Sequence, residues 1–205
     1  MATLSDMRTE VSRKLRDTTN DIWTVAEIDD AINQGIDSLA AFYPREIVSN
    51  VATIAASTFS YSTASFTNIY RIEQYSGTTF KGVIPHGIGG GDSGWETHGG
   101  VLYLPAGYTF TTGYVLRAYG YGAYVQLSAA TQTTDLDTSG LWAVKVFAQT
   151  ECISGLLNDR LKFQQWQADT NSTDVTLLAL TQTYNSLRAK WSAERQRLKR
   201  MRKLD

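Results

Sequence analysis

The glycine-rich segment 87–100 holds the residues whose types and spacing come closest to catalytic chemistry. Residues 91–94 spell Gly-Asp-Ser-Gly, the string that surrounds the nucleophilic serine of trypsin-like proteases. That reaction needs a histidine base and a carboxylate that orients the histidine. The two histidines of the chain, His86 and His98, lie within a few residues of Ser93, where no regular element would hold them. The sequence therefore argues against a serine hydrolase.

Nucleotide binding and metal binding are disfavoured on similar grounds. Residues 89–94 match the pattern G-x-G-x-x-G, which binds a pyrophosphate only between a strand and the start of a helix. A tryptophan, a histidine and two more glycines follow, so no helix begins there. Nitrogen and oxygen ligands are present, but their spacing matches no common metal site: His86, Asp92, Glu96 and His98. We expect a mobile loop at 87–100, and no catalytic, cofactor or metal site.

Tyrosines and a cysteine complete the set of residues with possible chemistry. Four tyrosines could form a platform that stacks on sugars or bases: Tyr114, Tyr119, Tyr121 and Tyr124. Tyrosines near glycines are also typical of packed strands, and we favour that interpretation. The single cysteine, Cys152, excludes an intrachain disulfide and a zinc site built from several thiolates. It lies in an apolar helical pattern and is interpreted as a small core residue.

The N-terminal part of the chain is predicted to form two amphipathic helices. Apolar residues recur there at spacings of three and four, which place them on one helix face: Leu4, Met7, Val11 and Leu15, then Ile28, Ile32, Ile36 and Leu39. Thr24 and Glu27 are spaced as a capping box at the start of the second helix. Pro44 disfavours helix at the residue before it and ends the element.

From Ile47 the pattern changes to alternating polar and β-branched or aromatic residues, which is typical of strands. The candidate strands are Ile47–Ala55, Thr58–Tyr61, Ile69–Tyr75, Phe80–Ile84, Val101–Leu104 and Tyr114–Tyr121. Glycine and serine separate these short runs, so we expect a small antiparallel sheet or barrel.

Helical spacing returns after residue 138. One long helix is predicted from a face of Val144, Phe147, Ala148, Cys152 and Leu156, with Phe163 beyond it. A final helix follows the polar start signal at 171–174, with apolar positions at Val175, Leu178, Leu187, Trp191 and Leu198. Apolar residues thin out beyond Trp191, so this end is expected to project from the body.

These patterns together predict an α+β fold. N- and C-terminal helices form a helical bundle, and a small antiparallel β subdomain is inserted between them. The predicted domains are 1–45 with 138–205 for the bundle, including a projecting basic C-terminal helix, 46–126 for the β subdomain, and 127–137 for a connector.

Charge is distributed unevenly along the chain. From Arg188 to Asp205 there are eight basic and two acidic residues, a net charge of +6. The whole chain has 19 basic and 20 acidic residues, so the part before Arg188 has 11 basic and 18 acidic residues and a net charge of −7. A basic tail on an acidic body indicates an anionic partner. The eight basic residues are Arg188, Lys190, Arg195, Arg197, Lys199, Arg200, Arg202 and Lys203. Five of them are arginines, which favours bidentate pairing with carboxylate or phosphate.

Length and composition limit the broad class. The 205 residues, 42% of them hydrophobic, suffice for a sizeable core. No apolar run approaches the length of about 20 residues that a transmembrane helix needs, so no membrane association is expected. The first ten residues contain three charges and no apolar stretch, and we therefore expect no secretory signal.

The N-terminal helices resemble the opening of the head–tail connector (adaptor) proteins of tailed bacteriophages. Such proteins often begin with a short helix that ends in a leucine, a basic residue and an aspartate. A tryptophan, a Ser/Thr cap, an acidic helix start and an isoleucine–asparagine pair then follow. The matching residues here are Leu15, Arg16, Asp17, Trp23, Thr24, Glu27, Ile32 and Asn33.

The resemblance implies a structural, non-enzymatic subunit that needs no cofactor. Such subunits form a homo-oligomeric ring, usually twelvefold, beneath the portal protein of the phage head. The C-terminal segment reaches the portal, a tail or stopper protein binds the other side, and DNA passes through the lumen. By this resemblance, the eight cations from Arg188 to Lys203 are the candidate portal-docking residues. The resemblance also implies that the protein is made in the host cytoplasm and lies at the head–tail interface of the virion.

Two alternatives remain open at this stage. The basic C-terminal helix could belong to a nucleic-acid-binding module, although simple DNA coating would favour a basic body as well. Segment 87–100 and the nearby tyrosines could instead form an enzyme site or a sugar-binding site.

Overall fold

The computed structural model describes residues 2–87, 94–105, 110–170 and 174–201, with side chains up to residue 200. These residues form five helices and seven strands, with helices at both ends and strands in the middle, so the predicted α+β class is confirmed. The chain divides into two compact units. The helical unit comprises Met1–Tyr43 and Tyr124–Asp205, and the β unit comprises Pro44–Ala123.

The helical unit begins with α1 (Leu4–Leu15) and α2 (Val25–Ala40). Both helices start with a capping box, in which a threonine side chain accepts a backbone N–H while the acid three residues on accepts the threonine N–H. The box of Thr24 and Glu27 confirms the sequence prediction, and Thr3 with Asp6 adds a second. All eight predicted apolar positions of the two helices are buried.

The residues that carry the connector resemblance build the turn between these helices. Arg16 ends α1 in the left-handed conformation, with φ of 59°. The buried carboxylate of Asp17 then accepts the backbone N–H groups of Asp21, Ile22 and Trp23 at 3.0, 3.2 and 2.9 Å. Those bonds satisfy donors that the turn would otherwise leave unpaired in a buried place.

Two further residues of that motif join the turn and α2 to the second half of the helical unit. The indole N–H of Trp23 donates to the backbone oxygen of Cys152 at 3.2 Å. The Asn33 side chain accepts the Leu127 N–H and donates to the Leu127 oxygen, both at 2.9 Å. The motif thus has a structural role, because Asp17 and the capping box close local backbone bonds, while Trp23 and Asn33 bond to segments that are distant in sequence.

The second half of the helical unit contains α3 (Thr138–Asn158), α4 (Arg160–Asp169) and α5 (Leu177–Met201). Helix α3 contains the five predicted positions from Val144 to Leu156, which confirms the long helix, but Phe163 lies on the separate helix α4. Asp159 separates the two helices and caps α4 by accepting the N–H groups of Leu161 and Lys162 at 3.0 and 3.1 Å. Helix α3 packs against α2, where a Cβ added to Gly35 would lie 3.1 Å from Val144.

The β unit contains two antiparallel sheets. The four-stranded sheet has the order β1-β7-β3-β4, with β1 (Arg45–Thr53), β3 (Asn68–Ser76), β4 (Thr79–Ile84) and β7 (Val115–Gly122). The three-stranded sheet has the order β2-β6-β5, with β2 (Ser60–Ser62), β5 (Glu96–His98) and β6 (Val101–Tyr103). Six of these strands overlap predicted runs, while β5 was missed. The β unit has its own core, which includes Ile54, Ile69, Ile72, Ile84, Leu102 and Leu116.

Trp95 corrects the interpretation of segment 87–100 as a mobile loop. Residues 88–93 lie outside the described residues, but Trp95 is only 1% exposed and belongs to the core of the β unit. Its indole N–H donates to the Ile84 oxygen at 3.1 Å, and its backbone pairs with Pro85 and Gly87. Trp95 therefore anchors the segment in the core, and β5 from Glu96 to His98 forms an edge strand of the three-stranded sheet.

Candidate docking surface of the C-terminal helix

Helix α5 carries most of the predicted docking residues and is held against the helical unit along its length. Leu180 and Leu198 are buried in the core of that unit, and Leu187 and Trp191 pack against it. These residues recur at helical spacings, so they form a single face of α5. The expectation that the basic end projects from the body is therefore wrong up to Leu198, which is 0% exposed.

Aromatic contacts fix this helix in the middle. The Trp191 ring lies edge-on to Phe42 and Phe147, with ring centroids 5.5 and 5.2 Å apart. One turn further on, the Arg195 guanidinium lies 5.3 Å from the centroid of the Phe42 ring. Such a cation–π contact holds the arginine over the aromatic ring while its surface remains in water.

The cations of α5 fall into two rows on its exposed surface. Arg188, Arg195 and Lys199, spaced seven and four residues apart, form what we term the lateral row. Lys190, Arg197 and Arg200, spaced seven and three apart, form the outer row, which lies on the other flank of the buried face. All six are exposed. The two remaining predicted docking residues, Arg202 and Lys203, lie outside the described part of the chain.

One member of the outer row is paired within the helix. Arg197 Nε donates to both carboxylate oxygens of Glu194, at 2.8 and 2.9 Å. This hydrogen bond raises the pKa of the Arg197 guanidinium above its ordinary value. Glu194 is largely buried, so the pair orients the arginine at the surface.

Helix α2 presents an acidic counterpart on its own exposed face. Glu27, Asp30 and Asp37 are exposed and lie opposite the residues that α2 buries; we term them the acidic row. Lys162 Nζ donates to Glu27 at 2.7 Å, and this hydrogen bond is the main cause that holds the Glu27 pKa below its ordinary value. Gln126 donates to the Asp37 carboxylate at 2.5 Å. This row was not predicted from the sequence, although its acidic residues at helical spacing are visible there.

The β unit has a separate network on the face of its four-stranded sheet that lies opposite its core. The Glu73 side chain there is almost fully buried and accepts the hydroxyls of Tyr75 and Tyr119 at 2.8 and 2.7 Å. Arg71 forms an ion pair with the same carboxylate. Burial by itself would raise the Glu73 pKa, but these donors outweigh it and lower the pKa. Arg117 stacks 4.1 Å from the centroid of the Tyr75 ring.

The four tyrosines that could have formed one stacking platform lie in three different places in the structure. Tyr119 and Tyr121 lie on the open sheet face, where Tyr70 is 5.3 Å from Tyr121 between ring centroids. Tyr114 packs against the core of the β unit, and Tyr124 is buried in the core of the helical unit. The four do not form a shared stacking surface.

The other groups with possible chemistry do not converge. The His86 ring packs edge-on to Trp95 at 4.4 Å, and His98 lies 3.3 Å from Glu96. Among the described residues no group of three or more metal-ligating side chains comes together; Asp92 and Ser93 lie outside them. Cys152 is buried, as predicted, and desolvation raises its pKa to about 12, so the thiol stays protonated.

No family model and no curated protein matches the sequence. None of the helices in the described ranges has the length and apolar character needed to cross a membrane.

Proposed function

We propose that this chain is a structural head–tail connector subunit of a tailed bacteriophage, without enzymatic activity. In this proposal, copies form a ring, of about twelve by the family resemblance, that docks on the portal protein through α5. A tail or stopper protein binds the ring on its other side, and DNA passes through the lumen. The observation that carries the proposal is a cationic helix, anchored along one face and exposed along two rows, in a unit built from the connector-like motif.

The anchoring of α5 supports docking better than a loose tail would. A disordered arm loses conformational entropy when it binds, whereas a helix that is already packed loses little. The lateral row gives three cations along one face, and the contact with Phe42 restrains Arg195 within it. Six arginine or lysine side chains on the described helix offer charge-assisted hydrogen bonds to a partner rich in carboxylates.

The acidic remainder of the chain is consistent with a ring that lets DNA pass. Cationic surfaces bind the phosphate backbone strongly and in a salt-dependent way. A channel through which DNA moves should avoid such adhesion. The net charge of −7 outside the C-terminal segment is the composition expected for such a subunit.

Charge reversal of the lateral row tests the docking role. Arg188, Arg195 and Lys199 are exposed, so changing all three to Glu should preserve the fold and abolish binding to the cognate portal in co-sedimentation. Truncation after Ser192 is a poorer test, because it also removes Leu198 from the core. The matched control changes Arg13, Lys14 and Arg160 to Glu, which are exposed cations elsewhere in the helical unit. Unchanged portal binding by the lateral-row variant would refute the assignment.

The second candidate function, a nucleic-acid-binding module, is favoured by the same exposed cations. It predicts affinity for duplex DNA that falls steeply as salt is added. The connector proposal predicts weak binding that is lost at physiological salt. Tight duplex binding that depends on the lateral row, together with no affinity for the portal, would favour this alternative.

A further inference from the structure

One face of the four-stranded sheet carries side chains that are unusual for a surface in water. Antiparallel sheets that leave one face in water commonly have polar residues on it. On this face four large apolar or aromatic residues are between 45% and 57% exposed: Val48, Tyr70, Phe80 and Val83. The described part of the β unit exposes two others of this kind, Phe59 and Tyr103. Most of its exposed apolar side chains are therefore gathered on a single face.

The strand register gathers these residues around the Glu73 network. Val83 lies opposite Glu73, and Val48 lies opposite Tyr119. Residues directly opposite each other in an antiparallel pair share a face of the sheet. We term this surface the open face; it consists of the four exposed residues and the network. At about 4.8 Å between strands and about 3.3 Å per residue, four strands of about six residues cover roughly 400 Å², the size of patches that are often functional on monomers.

Arginine side chains occupy the middle of the open face. They lie on the two central strands, β7 and β3, whereas three of the four exposed residues lie on the edge strands β1 and β4. The Arg117 guanidinium is 4.1 Å from the centroid of the Tyr75 ring, and that of Arg71 is 5.6 Å from the centroid of the Tyr119 ring. A nucleobase or a sugar stacks on an uncovered ring, whereas these two rings are covered. The middle of the open face therefore offers guanidinium groups and not a stacking surface.

Both arginines are restrained before any partner binds. The Glu73 carboxylate pairs with Arg71, whose side chain is still 49% exposed. Arg117 Nε donates to Asn50 Oδ1 at 3.1 Å, which uses one of the five N–H donors of a guanidinium. Restrained side chains lose little conformational entropy on binding, and guanidinium groups pair with carboxylates through charge-assisted hydrogen bonds. A phosphate backbone would meet the same donors but would leave the apolar residues of the edge strands in water.

We infer that the open face docks another protein, one whose contact surface carries carboxylates among apolar side chains. Tyrosine, phenylalanine and arginine are the residues in which protein interfaces are enriched, and central arginines between apolar residues are typical of their strongest contacts. The inference rests on the connector function proposed above. A connector needs a second partner besides the portal, and the open face is the surface assigned to the tail or stopper protein.

A pair of matched double variants tests the apolar part of this surface. The complex of the chain with its cognate portal is assembled first, and the cognate tail or stopper protein is then titrated onto it. Tyr70→Ser with Phe80→Ser should weaken that binding at least about tenfold. Phe59→Ser with Tyr103→Ser is the control, because it removes the same two residue types at 42% and 44% exposure from elsewhere in the β unit. Equal binding by the two variants would overturn the inference.

The charge of Arg117 tests the chemistry assigned to the partner. Arg117→Gln should weaken binding of the tail or stopper protein and reduce its dependence on salt, because a contact between guanidinium and carboxylate is lost. Lys81→Gln is the control, since the Lys81 ammonium lies by the ring of Tyr114, which packs against the core of the β unit. Unchanged affinity and salt dependence for Arg117→Gln would overturn the assignment of a carboxylate partner. Binding of single-stranded DNA or of a host surface polysaccharide that depends on Tyr70 and Phe80 would overturn the assignment of a protein.

Hydroxyl-radical footprinting of the wild type gives a readout that does not depend on how the variants fold. Addition of the tail or stopper protein to the portal complex should protect Tyr70 and Phe80 at least about fivefold, while Phe59 and Tyr103 stay labelled. A bound tail-side protein that leaves Tyr70 and Phe80 labelled would refute this inference and leave the connector proposal intact. A wild-type chain that does not join the portal would refute the connector proposal, and with it the assignment of the tail-side partner.

Discussion

Replacing Leu198 with alanine is the sharpest test of how the basic helix is attached. Leu198 is 0% exposed and belongs to the helical core, although cations surround it in sequence. A buried Leu→Ala change loses both transfer free energy and cavity contacts, and we expect it to lower the free energy of unfolding by about 3 kcal/mol. With a urea m-value of about 2 kcal/mol/M, the midpoint should fall by about 1.5 M.

Leu178→Ala is the matched control for that change. It lies on the same helix but is 69% exposed, so its effect should stay within about 0.5 kcal/mol. Urea titrations followed by far-ultraviolet circular dichroism would measure both variants. Equal midpoints for Leu198→Ala and the wild type would show that α5 is not anchored at this residue, and α5 would then not be the pre-organised helix proposed for docking.

Three further predictions concern other parts of the molecule. The Glu73 pKa is lowered in the folded protein, so its carboxylate contributes stability above the unfolded pKa of about 4.3, and this contribution is lost as the pH falls through the folded pKa. Glu73→Gln should therefore weaken the loss of β-unit stability that accompanies acidification. An unchanged dependence of stability on pH in the acid range would contradict this. Gly120→Ala would place a Cβ 2.2 Å from the Asn68 backbone oxygen and should destabilise the β unit. The Cβ of Gly155→Ala meets no atom within 4 Å, so this change should stabilise the helical unit by about 0.5–1 kcal/mol. A raised melting temperature for Gly120→Ala, or a lowered one for Gly155→Ala, would contradict the respective prediction. Native Cys152 should not react with a thiol reagent until the protein is unfolded, and rapid native labelling would disprove its burial.

The helices could be predicted because their signals are local. Apolar residues at spacings of three and four, and the capping box of Thr24 and Glu27, determine which face is buried and where α2 begins. The break at Asp159 was missed because the apolar spacing continues to Phe163 across it. Its signal was an aspartate that can cap the helix that follows.

The packed end of the glycine-rich segment could not be predicted from composition. A tryptophan among glycines gives no periodicity, and the burial of Trp95 depends on strands distant in sequence. The burial of Leu198 was missed for a related reason. A helix needs only a narrow apolar stripe to pack, and Leu187, Trp191 and Leu198 provide it at spacings of four and seven.

The surfaces were less predictable than the elements that form them. Eight cations in the last eighteen residues were obvious, but their division into two rows requires the helix and its buried face. The Glu73 network depends on the register between β3 and β7, which pairs Glu73 with Arg117 and Arg71 with Tyr119. No local pattern encodes that register, because it is set by how both strands bury their other face.

Co-sedimentation of the full chain with its cognate portal protein tests the connector proposal most directly. The account predicts a ring of this chain that sediments with the portal in fixed stoichiometry. It also predicts that the complex is lost when Arg188, Arg195 and Lys199 are changed to Glu, and retained when Arg13, Lys14 and Arg160 are changed instead. Failure of the wild-type chain to sediment with the portal at any salt concentration would contradict the account.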